Sequence, residues 1–118
     1  MYEREQLMND LVQRLSEQVQ AVIVGGTQST LPEFQKRILE MGYVFIKFTQ
    51  TRGGTDLGVR LDKQATDVSK ADFAQGTGSV HLEGTLTLNY VRVRCVADID
   101  LASLQGTGQL QVLEEVHP

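Results

Sequence analysis

Four ionisable residues, spaced two apart along neighbouring apolar segments, are the first candidates for chemistry in this sequence. They are His81, Glu83, Asp98 and Asp100. A histidine beside a carboxylate can act as an oriented general base, and grouped carboxylates can bind a hard cation. The same residue types also form ordinary polar pairs across the exposed face of an antiparallel sheet. We interpret the group as such a surface pairing, with a base or a cation site as the functional alternatives.

A second group of candidates is basic, although the chain as a whole is acidic. Its cations lie in predicted strands and their turn, beside two threonines, and the group comprises Lys47, Arg52, Arg60, Thr85, Thr87, Arg92 and Arg94. Arginine makes bidentate contacts with carboxylates and phosphates, so the group is suited to docking an acidic protein surface or an anionic group. The alternative is a solvated face whose charges keep the sheet from aggregating.

The motifs of well-known catalytic and metal sites are missing from the sequence. It contains no CxxC, HExxH, GxSxG, Walker or dinucleotide-binding pattern. The glycine pairs at 25–26 and 53–54 are not followed directly by the helix N-terminus that a phosphate loop needs. The single cysteine, Cys95, is predicted to be a small buried residue. We therefore predict no catalytic residues, no metal and no cofactor.

Length, charge and hydropathy limit the classes of function further. The 118 residues suit a single domain, placed at 1–118. A net charge of −4 at pH 7 argues against nonspecific binding to nucleic acid or to an anionic membrane. No apolar run reaches the roughly 20 residues that span a bilayer, and the first residues lack a signal-peptide pattern. These observations predict a cytoplasmic protein that binds neither nucleic acid nor membrane.

The segment from Ser79 to Leu101 is the central element that must position these residues. Its apolar side chains occupy even positions up to Leu88 and odd positions from Val91 onward. Because strand side chains alternate between faces, a turn at Asn89-Tyr90 gives two strands with a common apolar face. One long strand with a single-residue bulge is the alternative. The hairpin would pair polar residues on its other face, namely Ser79 with Asp100, His81 with Asp98, Thr85 with Arg94, and Thr87 with Arg92.

Two helices are predicted before the sheet. Apolar residues recur at three- and four-residue steps from Glu3 to Val24, which is typical of an amphipathic helix, and Gly25-Gly26 is predicted to cap it. A second helix begins at Thr30, since Thr30 and Glu33 have the spacing of a capping box, and it stops at Gly42. Both helices are predicted to cover the apolar face of the sheet.

Further strands are predicted on either side of the central hairpin. Residues 43–62 form a hairpin around the turn Arg52–Thr55, and two registers that differ by two residues fit its apolar pattern. A last short strand is predicted at 109–113, followed by a frayed tail from Glu114.

The segment 63–78 loses periodicity. Cap-like residues at Ser69–Asp72 favour a helix of one or two turns that ends at Gly76. The tetrapeptide QGTG occurs at 75–78 and again at 105–108, each time before an alternating segment. We interpret the two copies as similar flexible loops that lead into strands, with a duplicated ligand-contacting loop as the alternative.

These elements together predict an α+β fold with two N-terminal helices packed on a roughly five-stranded antiparallel sheet. The predicted function is a non-catalytic interaction, assembly or regulatory component that docks a protein partner or anionic group through its arginine-containing sheet face. The alternative is a small-molecule-binding protein or small enzyme with a pocket between helices and sheet near His81 and Asp98. A homodimer is also predicted, because the first helix has a long apolar stripe and no proline protects the sheet edges.

Overall fold

Six antiparallel strands close into a barrel, to which a short seventh strand and two helices are added. The computed structural model describes the backbone of residues 2–27 and 29–115, and the side chains of residues 10–27 and 29–114. In chain order the elements are α1 (Tyr2–Glu17), β1 (Gln20–Val24), α2 (Leu31–Lys36), a π-helical turn (Arg37–Met41), β2 (Tyr43–Phe48), β3 (Thr55–Leu61), β4 (Ala71–Asp72), β5 (Thr77–Leu88), β6 (Val91–Asp100) and β7 (Gln105–Glu115).

The barrel differs from the predicted five-stranded sheet with helices on one face. The strand order is β3-β2-β1-β7-β6-β5, and β3 pairs with β5 to complete the circle. The apolar face of the central hairpin therefore lines the inside of a barrel instead of lying beneath the helices. The helices make their main contacts with different strands, α1 with β7 and the π-helical turn with β2. The predicted layer between helices and sheet is not formed, because the sheet covers its own apolar face.

Alternating apolar residues from the six strands fill the barrel. Twelve of those described are at most 2% exposed: Val22, Val44, Ile46, Phe48, Val59, Val80, Leu82, Val93, Cys95, Ala97, Ile99 and Leu110. A barrel of eight strands is just wide enough for side chains to fill, so the side chains of six strands fill the interior of this narrower barrel. Val12 and Leu15 of α1 and Phe34 of α2 extend this core.

The predicted helix from Glu3 to Val24 is wrong in its last third. The helix ends at Glu17, and Gln20–Val24 forms β1 between β2 and β7. Val22 and Val24 are buried whereas Ala21 is exposed, which is the burial period of a strand. The β-branched residues fit both periods locally, and pairing on two sides decides the outcome. Gly25-Gly26 consequently follows a strand and is not a helix cap.

The second helix begins and ends as predicted, but its capping and its last turn differ from the prediction. Thr30 is the N-cap residue, yet within the described part of the chain its side chain makes no capping hydrogen bond, so the predicted capping box is not formed. The last turn is π-helical because the Gly42 N–H donates to the Arg37 carbonyl (2.8 Å), a five-residue span. Gly42 has φ 67°, a left-handed conformation that suits glycine and ends the helix.

The central hairpin is confirmed residue by residue. Its turn residues Asn89 and Tyr90 have φ angles of 50° and 66°, as a two-residue type I′ turn requires. Every predicted pair is present, including His81 with Asp98 and Thr85 with Arg94.

The 43–62 hairpin adopts the register that pairs Ile46 with Leu57 and Val44 with Val59. Cys95 is buried as predicted, and burial raises the pKa of its thiol to about 12.

The 63–78 connection contains no helix within the described residues, contrary to prediction. Asp67 pairs with His81 in an isolated bridge, and β4 pairs with the start of β5. The polar residues predicted to cap a helix instead form turns along the edge of β5. Asp72 Oδ1, for example, accepts from the Gln75 N–H (3.0 Å).

The last strand is longer than predicted, and the two QGTG copies have different roles. The strand spans Gln105–Glu115, so Glu114 and Glu115 pair with β6 instead of fraying; residues 116–118 lie outside the described chain. The first copy spans a turn and the start of β5, whereas the second lies inside β7. A side chain at Gly106 would collide with the Asp98 carbonyl, so this glycine permits close strand approach.

No helix among the described residues has the length and apolar character needed to cross a membrane.

Leu82→Ala is expected to lower the free energy of unfolding by about 2 to 5 kcal/mol, because Leu82 points into the barrel and is 2% exposed. Thr87→Ala on the outer face of the same strand should cost less than about 1 kcal/mol. Urea titration of both variants measures the difference. Equal losses would contradict the assignment of the two faces.

Gly84→Ala is expected to weaken closure of the barrel, with a loss of roughly 2 kcal/mol or more. A methyl group there would collide with the Arg60 carbonyl oxygen and with Val59 Cγ1, both on the paired strand β3. Gly58→Ala is the matched control, since its methyl group would meet only the hydroxyl end of the partly exposed Tyr43 ring, which can move. Denaturant titration should rank Gly84→Ala as the more destabilising; the reverse order would show that β3 and β5 separate easily.

Candidate functional site

The outer sides of β3, β5, β6 and β7 form one continuous polar surface. Side chains lie across it in rows: Arg60, Thr85, Arg94 and Gln111 occupy neighbouring positions on the four strands. The next row contains Thr87, Arg92 and Glu114. The polar face, defined here as Arg60, Thr85, Thr87, Arg92 and Arg94, therefore brings together five of the seven predicted docking residues.

Lys47 and Arg52 lie apart from the polar face. Lys47 is on β2 opposite Asp56 of β3, and Arg52 is in the exposed turn between these strands. In the barrel, β2 is separated from β5 by β3. The sequence placed all five cations in strands or their turn, but the curvature of the barrel turns these two away from Arg92.

A chain of hydrogen bonds includes Arg94 of the polar face and extends toward the start of β5. We term its five charged side chains the charged ladder: Asp98, His81, Glu83, Arg94 and Asp62. His81 Nδ1 lies 2.8 Å from Asp98 Oδ1, and its Nε2 lies 2.7 Å from Glu83 Oε2. Arg94 donates from Nε to Glu83 Oε1 (2.9 Å) and from a terminal nitrogen to Asp62 Oδ2 (3.1 Å). When His81 is protonated, carboxylates and cations alternate along the ladder, so each ionic contact joins opposite charges.

The ladder stabilises the charged form of its members. Hydrogen bonds to Glu83 and then to Asp98 raise the pKa of His81. The hydrogen bond from His81, followed by that from Arg94, lowers the pKa of Glu83, and the hydrogen bond from Arg94 lowers the pKa of Asp62. The pKa of Arg94 is raised by its bonds to both carboxylates. The sequence predicted the pairing of His81 with Asp98, but nothing in its periodicity indicated Asp62, which reaches the ladder only because β3 closes onto β5.

This geometry does not favour a general base. Both ring nitrogens of His81 already face carboxylates, and Glu83 also accepts from Arg94. Asp100 lies outside the ladder and accepts hydrogen bonds from the backbone and hydroxyl of Ser103 at 3.1 and 3.0 Å. Among the described side chains, no group of three or more ligating residues is arranged to hold a metal ion. These residues form an internally satisfied polar network on the barrel surface.

Arg92 differs from Arg94 in its freedom to contact another molecule. Its side chain is 50% exposed and has a 3.3 Å contact with Glu114, whose own side chain is 62% exposed. Arg94 is 24% exposed and contacts two carboxylates. A weakly held, exposed arginine can exchange its partner at low cost, whereas Arg94 would have to leave two ionic hydrogen bonds.

Exposed apolar residues, which no sequence motif indicated, lie at the end of the barrel that carries the β5–β6 turn. Tyr90 in the β5–β6 turn is 54% exposed, and Val112 and Leu113 are 53% and 50% exposed. The register between β6 and β7 shifts between Arg92 and Val93, which leaves Leu113 as the extra residue of a bulge. The adjacent apolar pair Val112-Leu113 in an otherwise alternating strand was the signal that could have indicated this bulge. We term Tyr90, Val112 and Leu113 the apolar rim.

A shallow depression of about 220 Å³ lies on α2 and the π-helical turn and is lined by Pro32, Gln35, Lys36, Leu39 and Glu40. It contains none of the predicted site residues. The alternative pocket near His81 and Asp98 required a space between helices and sheet, and barrel closure leaves these two side chains on the outer surface.

Arg94→Met is expected to lower the free energy of unfolding by roughly 1 kcal/mol at pH 7, a reduced value for ionic hydrogen bonds because solvent reaches the ladder. Arg92→Met, the matched control, should cost little. The folded-state pKa values of Glu83 and Asp62 are lowered, so the contribution of the ladder is lost as the pH falls through them. The difference between Arg94→Met and the wild type should therefore shrink below about pH 4. Urea titrations at several pH values test this, and a constant difference would contradict it.

Comparison with known proteins identifies the group of proteins that shares this sequence pattern. Residues 3–117 match the family model CBF_beta, described as core binding factor beta subunit. A comparison with curated proteins gave no match. The family is a non-DNA-binding partner subunit that interacts with transcription factors, which agrees with the predicted non-catalytic interaction component. Because the match covers nearly the whole chain, this protein belongs to the core binding factor beta subunit family.

Proposed function

We propose that this chain acts as a non-catalytic partner subunit and that it docks a DNA-binding transcription factor through the polar face. The family binds protein partners such as Runt-domain factors, and we propose a partner of that class. The observation that carries the proposal is the exposed Arg92 beside Thr87, held on hydrogen-bonded strands and bordered by the apolar rim. DNA contact is left to the partner, in agreement with the acidic net charge of this chain.

Rigidity supports this assignment. The polar face lies on hydrogen-bonded strands of the closed barrel, so its side chains start from a fixed backbone. A preorganised surface loses less conformational entropy on binding than a loop does. The charged ladder adds to this order because Arg94 is held between Glu83 and Asp62. We therefore assign Arg94 to positioning of the face, and direct contact to Arg60, Thr87 and Arg92, with Thr85 between them.

Composition supports a protein partner over a small anion. Arginines enriched at interfaces combine a charged group with a flat apolar surface, and interface centres are rich in aromatic residues. The apolar rim supplies Tyr90 and two exposed aliphatic side chains at the same end of the barrel as Arg92. An isolated phosphate would use the arginine and leave the rim uncovered. Lys47 and Arg52 stay in the proposal as outlying cations that a partner extending over β2 and β3 would meet.

Self-association and location are separate matters. The edge argument for a homodimer loses force because the closed barrel pairs strands that an open sheet would leave free. The homodimer remains a prediction based on α1, and a sedimenting particle near 13.1 kDa would contradict it.

The predicted cytoplasmic location also remains a prediction, and membership of a family that acts with transcription factors is equally compatible with the nucleus.

Arg92→Glu is expected to weaken binding of a purified Runt domain by at least about tenfold, mainly through slower association that depends on salt. The reversed charge would repel the acidic groups that Arg92 is proposed to meet. The measurement is biosensor kinetics at two salt concentrations, with the melting temperature recorded for each variant.

Lys36→Glu is the matched control, because it makes the same charge change at an exposed position on α2. Its binding should stay within about twofold of the wild type. Equal loss in both variants would indicate a nonspecific charge effect and would overturn the site. Wild-type binding by a folded Arg92→Glu variant would do the same, and failure of the wild-type chain to bind the Runt domain would overturn the partner class.

A further inference from the structure

His81 has an unusual environment for a surface histidine, since each of its ring nitrogens faces a carboxylate. The distances are 2.8 Å to Asp98 on β6 and 2.7 Å to Glu83 on the same strand. A neutral imidazole has one N–H donor and one lone pair, so it can donate to only one of these two oxygens. Its lone pair would face the other carboxylate and be repelled. Only the doubly protonated ring satisfies both contacts.

The same region anchors the connection between β3 and β4 to β5. Beyond the pairing of Leu61 with Gly84, the edge of β5 contacts this connection instead of β3. The Asp67 N–H donates to the His81 carbonyl (2.8 Å), and the His81 N–H donates to the Asp67 carbonyl (2.9 Å). The Thr66 hydroxyl donates to the Glu83 carbonyl (3.3 Å), and the Asp62 N–H donates to the same carbonyl (2.8 Å). Residues 62–67 are thus attached to the backbone of His81 and of Glu83, the two residues that hold the ladder on β5.

Charges from each contacting element favour the protonated ring. Glu83 acts from β5 and Asp98 from β6, while Asp67 acts from the connection itself. Cations lie one contact further away: Arg94 of β6 behind Glu83, and Lys70 beside Asp67. Two carboxylates therefore hydrogen-bond the ring and a third acts on it from the connection, whereas the two cations act on those carboxylates. This balance, led by the hydrogen bonds to Glu83 and Asp98, raises the pKa of His81.

We propose that His81 is a proton-dependent latch, which joins β5 to β6 and secures residues 62–67 while both ring nitrogens carry protons, and which loosens that segment when one proton leaves. Loss of the proton breaks one end of the charged ladder. The His81 contact with Asp98 opens first, because Asp98 is 62% exposed and can turn to water, whereas Glu83 stays bound to Arg94. The neutral ring then contacts Glu83 alone. The hydrogen-bonded group Glu83, Arg94 and Asp62 has lost its link to Asp98, and residues 62–67 separate more readily from β5.

The direction of the pH dependence follows from linkage. A histidine whose pKa is raised by folding contributes stability that is fully present below the unfolded value of about 6.5, and this contribution is lost as the pH rises through the folded value. The connection is therefore most firmly attached in mildly acidic solution and loosens above neutral pH. This behaviour does not depend on the identity of the docking partner.

Two measurements on the folded chain test the latch directly. The sequence contains only two histidines, so a His117→Gln background leaves one ring signal for titration by NMR. The His81 ring should titrate above pH 6.5, and Asp98→Asn should lower its midpoint by removing one carboxylate. Amide hydrogen exchange, corrected for the intrinsic effect of pH, should show protection at Asp67 and His81 falling about fivefold or more between pH 6 and 8.5. Protection at Val93, inside the barrel on β6, should stay constant over the same range.

His81→Gln is the control variant, because a glutamine amide offers one donor group and one acceptor, as the neutral ring does. The variant should show low protection at Asp67 at every pH, with the protection at Val93 confirming that the barrel is folded. A His81 midpoint at or below 6.5 would overturn the proposal. So would constant protection at Asp67 in the wild type, or an unchanged pH dependence in His81→Gln.

Discussion

The pairing of β3 with β5 is the constraint on which the rest of this structure depends. It consists of two residue pairs, Arg60 with Thr85 and Leu61 with Gly84. The contact is close enough that only glycine fits at position 84 without displacing the β3 backbone. Without this pairing the six strands would be an open sheet, and its apolar face would need a helical layer to cover it. With it, the sheet buries that face against itself, and the helices are left to extend the core through Val12, Leu15 and Phe34.

Closure also creates the functional surface. Once the apolar side chains point inward, the alternate positions of β5 and β6 must point outward, and the polar residues become a single curved face. The same pairing brings Asp62, at the end of β3, to Arg94 on β6, two strands away. The charged ladder is thus a consequence of the barrel topology. It distinguishes Arg94, which is held by two carboxylates, from Arg92, which is exposed.

The histidine and the docking face illustrate two uses of the same strand. Toward the β5–β6 turn, the outer side of β5 carries threonines beside exposed arginines and the apolar rim, a composition suited to a protein interface. Toward its beginning, the strand carries His81 and Glu83, whose partners are supplied within the chain. A surface whose polar groups already have partners is less available for binding, because contact with another molecule would first break those hydrogen bonds. The two regions are linked through Arg94, which belongs to both.

The sequence by itself determined every feature that depends on local alternation. The central hairpin, its turn at Asn89-Tyr90 and each of its cross-strand pairs follow from one change of phase, because burial requires strand side chains to alternate. The helix stop at Gly42 and the buried Cys95 follow in the same way from local rules. Tertiary structure alone decided that Gln20–Val24 is a strand, since this segment fits either period and only its pairing with β2 and β7 selects one. It also decided barrel closure, the recruitment of Asp62 to the ladder and the separation of Lys47 and Arg52 from Arg92. Each of these depends on contacts between residues distant in sequence, and such contacts leave no periodic signal in the chain.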